Sequence, residues 1–301
     1  MHGFSLLEMT LLDKPQLPRS SLLDCLNESS FEEKLQHCIN EKRPFKKILN
    51  ENLENYLLWG GLPEVLSMKE DNPLKLKEEK LIYLHNYLQT YLEKDVRAVE
   101  QITNMTLYRN LLDLLAEHTG SLRDEGKFIA ALGCSRETLK KYRSLIEATF
   151  LYQEIFPYLG KTLKRLVKSP KAYLLDNGLI SLLTGLSDLS VLEKTGLIGH
   201  RLENWFLNEL NVWGARSASP QKVFFWQTTA QAEVDFIVLR KPKIYPFEVT
   251  YQSEINRTKL RNLLSFLAEE PEAPWGFYVY RGEFQVDRNH RVIFLPCWAI
   301  A

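Results

Sequence analysis

The sequence predicts a multidomain chain of mixed α+β and α/β class, and three observations carry that prediction. Up to about residue 105, apolar positions recur at helical spacing. From 106 to 175 the order is helix, short helix, turn, basic helix, then two strand-like runs. From 176 to 301 strand-like runs alternate with helices. These changes of character set the expected boundaries at 1–105, 106–175 and 176–301.

Length and composition agree with that division. The chain has 301 residues, 45% hydrophobic and 25% charged, ample for packed cores and for two or three domains. No stretch approaches the ~20 consecutive apolar residues of a membrane span. Met1-His2-Gly3-Phe4 lacks the basic start and cleavage site of a signal peptide, so a cytoplasmic protein without membrane partners is expected. Cys25, Cys38, Cys134 and Cys297 are scattered without CxxC spacing, which argues against a zinc site and a disulfide framework. Net charge is zero but unevenly spread. Residues 106–175 hold 12 basic and 7 acidic side chains, and from Cys134 to Lys171 the excess is nine against three. A basic patch in a neutral protein points to a docking surface for phosphates.

Within the helical region, Phe31, Leu35, Ile39, Ile48, Leu53 and Leu57 fall at helical spacing, and Gly60-Gly61-Leu62-Pro63 breaks the pattern. A long helix is expected over 74–99, with Leu81, Leu84, Leu88, Tyr91 and Leu92 on its apolar face. Leu107, Leu111, Leu114 and Leu115 mark a helix ending at Thr119-Gly120. A short helix over 126–132 ends at Gly133, a C-cap. Ser135 then caps a helix whose apolar stripe is Leu139, Tyr142, Leu145 and Ile146. Strands are expected over 150–155 and 171–175, with a basic loop between them. Farther on come a helix over 200–210, strands at 223–226, 233–239 and 245–250, a helix over 259–267 and a strand at 276–280.

The central order is that of a winged helix-turn-helix, whose second helix enters the major groove. Arg136, Thr138, Lys140, Lys141 and Arg143 are the exposed positions expected on that helix. Lys161, Lys164, Arg165, Lys168 and Lys171 would grip backbone phosphates from the wing. A purely structural or protein-binding role for the same module is the alternative.

A carboxylate on one strand followed by Glu-x-Lys on the next is the core of the PD-(D/E)XK nuclease site. Its carboxylates hold a divalent metal, and its lysine stabilises charge at the phosphoryl group. Here Asp235 supplies the first carboxylate and Glu248 the second, with Glu203 on the preceding helix as a third candidate. The lysine position is Thr250. The expected site is therefore degenerate, with Asp235 and Glu248 as weak Mg or Mn ligands. The run Gly120 to Phe128 imitates a P-loop, but its spacing is one residue too long and Phe128 replaces the magnesium-binding hydroxyl, so no ATP is expected. His200 and His290 lack ligand spacing.

Several phrases, in order along the chain, carry a wider likeness: Trp59-Gly60-Gly61-Leu62-Pro63-Glu64-Val65, Thr90-Tyr91-Leu92-Glu93-Lys94-Asp95-Val96, Lys164 to Leu179, Gly199-His200-Arg201-Leu202-Glu203-Asn204 and Glu233-Val234-Asp235-Phe236. In these the chain resembles the C-terminal two-thirds of a large family of prokaryotic predicted AAA-type ATPases. The resemblance implies an N-terminal ATP-binding module, a winged helix and a C-terminal restriction-endonuclease-like domain. Phe4 to Met9 resembles the tail of the ATP-binding module, so a truncated or split member is expected. The resulting expectation is a non-catalytic protein that binds nucleic acid, DNA in the first place, and requires no cofactor. The alternatives are a metal-dependent nuclease with a displaced catalytic lysine, or an interaction subunit of a separately encoded ATPase module.

Overall fold

The architecture is mixed α/β, with many helices and a large mixed sheet. The computed structural model describes residues 3–26, 30–92, 94, 102, 104–160, 169–216 and 220–301. In chain order its elements begin with α1 (Leu6–Asp13), α2 (Leu22–Cys25), α3 (Phe31–Lys42), α4 (Lys46–Trp59), α5 (Pro63–Ser67), α6 (Pro73–Tyr91) and α7 (Met105–Glu117). There follow β1 (Ser121–Leu122), α8 (Glu125–Leu132), α9 (Arg136–Ala148), β2 (Tyr152–Pro157), β3 (Lys171–Leu174), α10 (Asn177–Thr184), α11 (Leu189–Lys194) and α12 (Ile198–Ala215). The last are β4 (Lys222–Gln227), β5 (Glu233–Arg240), β6 (Lys243–Val249), α13 (Arg257–Glu269), β7 (Gly276–Tyr280), β8 (Gln285–Asp287) and β9 (Val292–Pro296).

Contacts group the chain into two units. The first comprises Met1–Gly3, Asn55–Glu154 and Pro170–Trp205; the second comprises Phe4–Glu54, Ile155–Ser169 and Phe206–Ala301. The expected segments 1–105, 106–175 and 176–301 are contiguous, whereas each unit gathers separated stretches.

In the first unit, the 3–4 spacing of Tyr108, Leu111, Leu112 and Leu115 turns one face of α7 into a core shared with Leu84, Phe128, Leu139, Tyr142 and Ile146. The Asp124 side chain accepts the Lys127 N–H to start α8, and Gly133 ends it at φ +59°. The Ser135 hydroxyl accepts the Thr138 N–H to start α9. The turn between the two helices is thus only residues 133–135. β1 pairs antiparallel with β3, and the strand order is β1-β3-β2. The helix expected over 74–99 is seen as α6; residues 93 and 95–101 lie outside the described residues, as does the basic loop 161–168.

Two of the glycine phrases interlock in this unit. Asp176 accepts the Gly61 N–H at 2.9 Å and the Leu179 N–H at 3.0 Å. A Cβ on Gly60, at φ +73°, would lie 2.2 Å from the Asp176 carboxylate, and one on Gly178 would lie 2.3 Å from the Trp59 carbonyl oxygen. Only glycine permits these approaches.

In the second unit the strand order is β2-β4-β5-β6-β7-β9-β8, with Phe156 and Pro157 of β2 paired to β4. β4, β5 and β6 are antiparallel, while β6–β7 and β7–β9 are parallel. Helix α13 packs on β5, β6 and β7 through Leu263, Phe266 and Leu267, which join Trp226, Val234, Ile237 and Tyr278 in the core. Lys42 on α3 is fully buried, its ammonium donating to the Ala299 and Ala301 carbonyls.

Candidate functional site

Asp235 lies on β5 and Glu248 on β6. The register Phe236↔Phe247 places them opposite one another one step further along the ladder. Like charges directly across a sheet repel, and both residues are buried, at 3% and 1% exposure. Lys259 offsets the charge. Its ammonium is 3.1 Å from Asp235 Oδ2, 2.7 Å from Glu248 Oε1 and 2.9 Å from the Val249 carbonyl oxygen. An ammonium has three donors, and here all three have acceptors. The Val249 N–H donates to Asp235 Oδ2 at 2.8 Å, fixing that carboxylate further.

Local sequence places the lysine. The Asn256 side chain caps α13 by accepting the Thr258 and Lys259 N–H groups, and the Asn256 N–H donates to the Tyr278 hydroxyl at 3.0 Å. Lys259 then falls four, seven and eight residues before Leu263, Phe266 and Leu267, on the face that packs against the sheet. The signal was in the sequence, as a lysine aligned with the apolar stripe of an amphipathic helix. The Glu-x-Lys spacing points only to position 250, which is nine residues before Lys259.

Thr250 is buried. Its N–H donates to the Val279 carbonyl at 2.9 Å, and its hydroxyl accepts the Gln252 N–H at 3.4 Å. The threonine thus ties down the end of β6, while the ammonium beside the carboxylates comes from α13. Glu203 belongs to the first unit, where it lies 3.8 Å from the Lys171 ammonium and accepts the Tyr173 hydroxyl at 3.4 Å. Within the second unit, the group that touches both Asp235 and Glu248 is the Lys259 ammonium. Among the described residues, no group of three or more His, Cys, Asp or Glu is arranged to hold a metal.

The basic residues expected to face nucleic acid divide into three groups. Arg136, Lys140 and Lys141 are exposed on α9, opposite its buried Leu139, Tyr142 and Ile146. Arg136 makes only a loose pair with Glu125, at 3.7 Å. Arg143 is instead an internal residue. Its guanidinium lies 3.0 Å from Glu125 and 3.2 Å from Glu154, and Arg123 and Tyr152 complete the cluster on Glu154 at 2.6 Å each. The Arg143 guanidinium holds the Glu125 carboxyl below its ordinary range. Lys171 is buried against Glu203, so it belongs to the interior of the first unit and not to an exposed wing. Lys161, Lys164, Arg165 and Lys168 lie outside the described residues.

Comparison with known proteins adds family-level likeness. Residues 50–190 match the family described as Domain of unknown function (DUF8612). Residues 198–300 match Domain of unknown function (DUF4143), a domain associated with AAA-type ATPases. The chain is 25% identical over 241 residues to an uncharacterized protein of Mycobacterium tuberculosis and equally to one of Mycobacterium bovis. Each match covers 79% of this chain and 52% of the relative, so the chain spans about half the length of the curated relatives it matches. No solved structure matches it significantly. No helix among the described residues is long and apolar enough to cross a membrane.

Proposed function

We propose that the chain binds nucleic acid, with duplex DNA as the first candidate, through helix α9. The observation that carries this proposal is the exposure of Arg136, Lys140 and Lys141 on the solvent side of α9. The surrounding order supports a winged helix-turn-helix: α7, β1, α8, a three-residue turn, α9, β2 and β3, with strands in the order β1-β3-β2. In that module the second helix of the pair enters the major groove. Lys161, Lys164, Arg165 and Lys168 extend the proposal as wing contacts to phosphate. In this view Lys259 bridges Asp235 and Glu248 as an ion-paired triad that stabilises the second unit, and the protein acts without catalysis. An ATP-binding module, either in the same longer protein or separately encoded, is the partner that the DUF4143 association favours.

The test is fluorescence anisotropy with a labelled duplex across a salt series. Each phosphate neutralised contributes about 0.9 to the slope of log K against log salt. Replacing Arg136, Lys140 and Lys141 by alanine is expected to lower that slope by roughly 2–3. An unchanged slope and affinity would remove α9 as the contact surface.

The position of Lys259 favours a second reading, a metal-dependent nuclease whose lysine sits on the helix instead of the strand. Asp235 and Glu248 would then be the metal ligands, and Lys259 would stand in for the motif lysine. Cleavage of plasmid DNA with Mg or Mn that is abolished in Asp235→Ala and in Lys259→Ala would establish it over the non-catalytic one.

A further inference from the structure

The first unit contains a cavity of about 180 Å³ that neither reading uses. That volume corresponds to roughly six water molecules at ~30 Å³ each. Its walls come from the C-terminal end of α7, from α10 and from the first turn of α12. They combine apolar surface, including Ile180 and Leu197, with the polar groups of Thr119, Thr184 and Arg201. Glu117 also lines the cavity and is exposed at its rim.

Arg201 gives the cavity its chemistry. The residue is 3% exposed. Its Nη1 donates to the Asn177 carbonyl at 2.6 Å, and its Nη2 reaches the Thr184 hydroxyl at 3.5 Å. A guanidinium has five N–H donors, so three remain beyond these two bonds, and Arg201 lines the cavity. Among the described residues, no carboxylate lies within 4.0 Å of this guanidinium. Asp176 acts on its charge from farther away, with its oxygens already taken by the Gly61 and Leu179 N–H groups. Burial pulls Arg201 down to about 10, which leaves it cationic at neutral pH. The Arg201 fork matches the two oxygens of a carboxylate, and such charge-assisted pairs are strong where water is excluded. The apolar walls suit a short hydrocarbon tail. Glu117 at the rim repels anions in proportion to their charge, which favours a carboxylate monoanion over the phosphate dianion.

We propose that this cavity binds a small monocarboxylate with a short apolar tail, its carboxylate on Arg201 and its tail against Ile180 and Leu197. Isothermal titration calorimetry of the full chain tests this with three probes: isovalerate, its neutral isostere isovaleramide, and inorganic phosphate. Isovalerate is expected to saturate with a dissociation constant of about 1 mM, as suits a ligand of this size. Isovaleramide is expected to bind at least tenfold more weakly, and phosphate to show no saturable heat. Arg201→Gln removes the charge, and Leu197→Trp fills the cavity without touching the Arg201 contacts. Each is expected to weaken isovalerate at least tenfold. Because Arg201→Gln also disturbs the bond to Asn177, Leu197→Trp with a wild-type circular-dichroism spectrum is the deciding variant. The proposal is overturned if isovalerate does not saturate the wild-type chain. It is equally overturned if isovaleramide or phosphate binds as tightly as isovalerate, or if the folded Leu197→Trp variant keeps wild-type affinity.

Discussion

Replacing Lys259 by methionine keeps most of the aliphatic stem that lies along α13 and removes only the ammonium. Asp235 and Glu248, at 3% and 1% exposure, then lose the ammonium that bridges them across β5 and β6. Removing one partner of a buried ion pair costs about 3–5 kcal/mol. The Lys259 side chain is 30% exposed, so solvent screens part of the interaction and the lower end, about 3 kcal/mol, is expected. At ~2–4 °C per kcal/mol for a unit of this size, the melting temperature should fall by roughly 6–12 °C. Urea unfolding followed by tryptophan fluorescence measures this, because Trp226 and Trp298 are buried in the same unit. A double-mutant cycle with Glu248→Gln isolates the pair. Once the second carboxylate is neutral, losing the ammonium should cost at least about 1 kcal/mol less. A Lys259→Met protein within about 0.5 kcal/mol of wild type would refute a stabilising role for the Lys259 bridge.

Other substitutions separate packing from function. Arg143→Ala should destabilise by about 2–3 kcal/mol, because Glu154 and Glu125 lose a guanidinium; thermal unfolding reads the loss, and the salt slope of DNA binding should not move. Gly133→Ala meets nothing within 4 Å, so only its left-handed backbone resists; about 1 kcal/mol in the urea midpoint is expected. Gly178→Ala puts a methyl 2.3 Å from the Trp59 carbonyl oxygen and should cost more than about 3 kcal/mol, or prevent soluble expression altogether. The wild-type chain incubated with plasmid and Mg or Mn should leave the supercoiled band intact on a gel.

What the sequence made legible was local. Ser135, Gly133 and the stripe Leu139, Tyr142 and Ile146 mark α9 and its turn because caps and periodicity act within a few residues. Asp235 and Glu248 were legible as neighbours because two adjacent strands with a tight connection share one register. What escaped was decided by distant pairing. Arg143 and Lys171 count as basic residues in any charge tally, yet Arg143 is half-buried and Lys171 buried, each paired with glutamate supplied by another element. Lys259 reaches a site eleven residues upstream only because α13 folds back over β5 and β6. The grouping of Phe4–Glu54 with Phe206–Ala301 has no signature in periodicity at all, since it rests on contacts such as the Glu209 carboxylate accepting the Leu6 N–H at 2.6 Å.

Amide hydrogen exchange of the full chain with and without a saturating duplex tests docking of DNA on α9 most directly, because it reports where nucleic acid touches the protein. Slowed exchange is expected to concentrate over residues 134–144, at the start of α9 where Arg136, Lys140 and Lys141 stand exposed. Protection that leaves this segment unchanged and falls on other elements would contradict it.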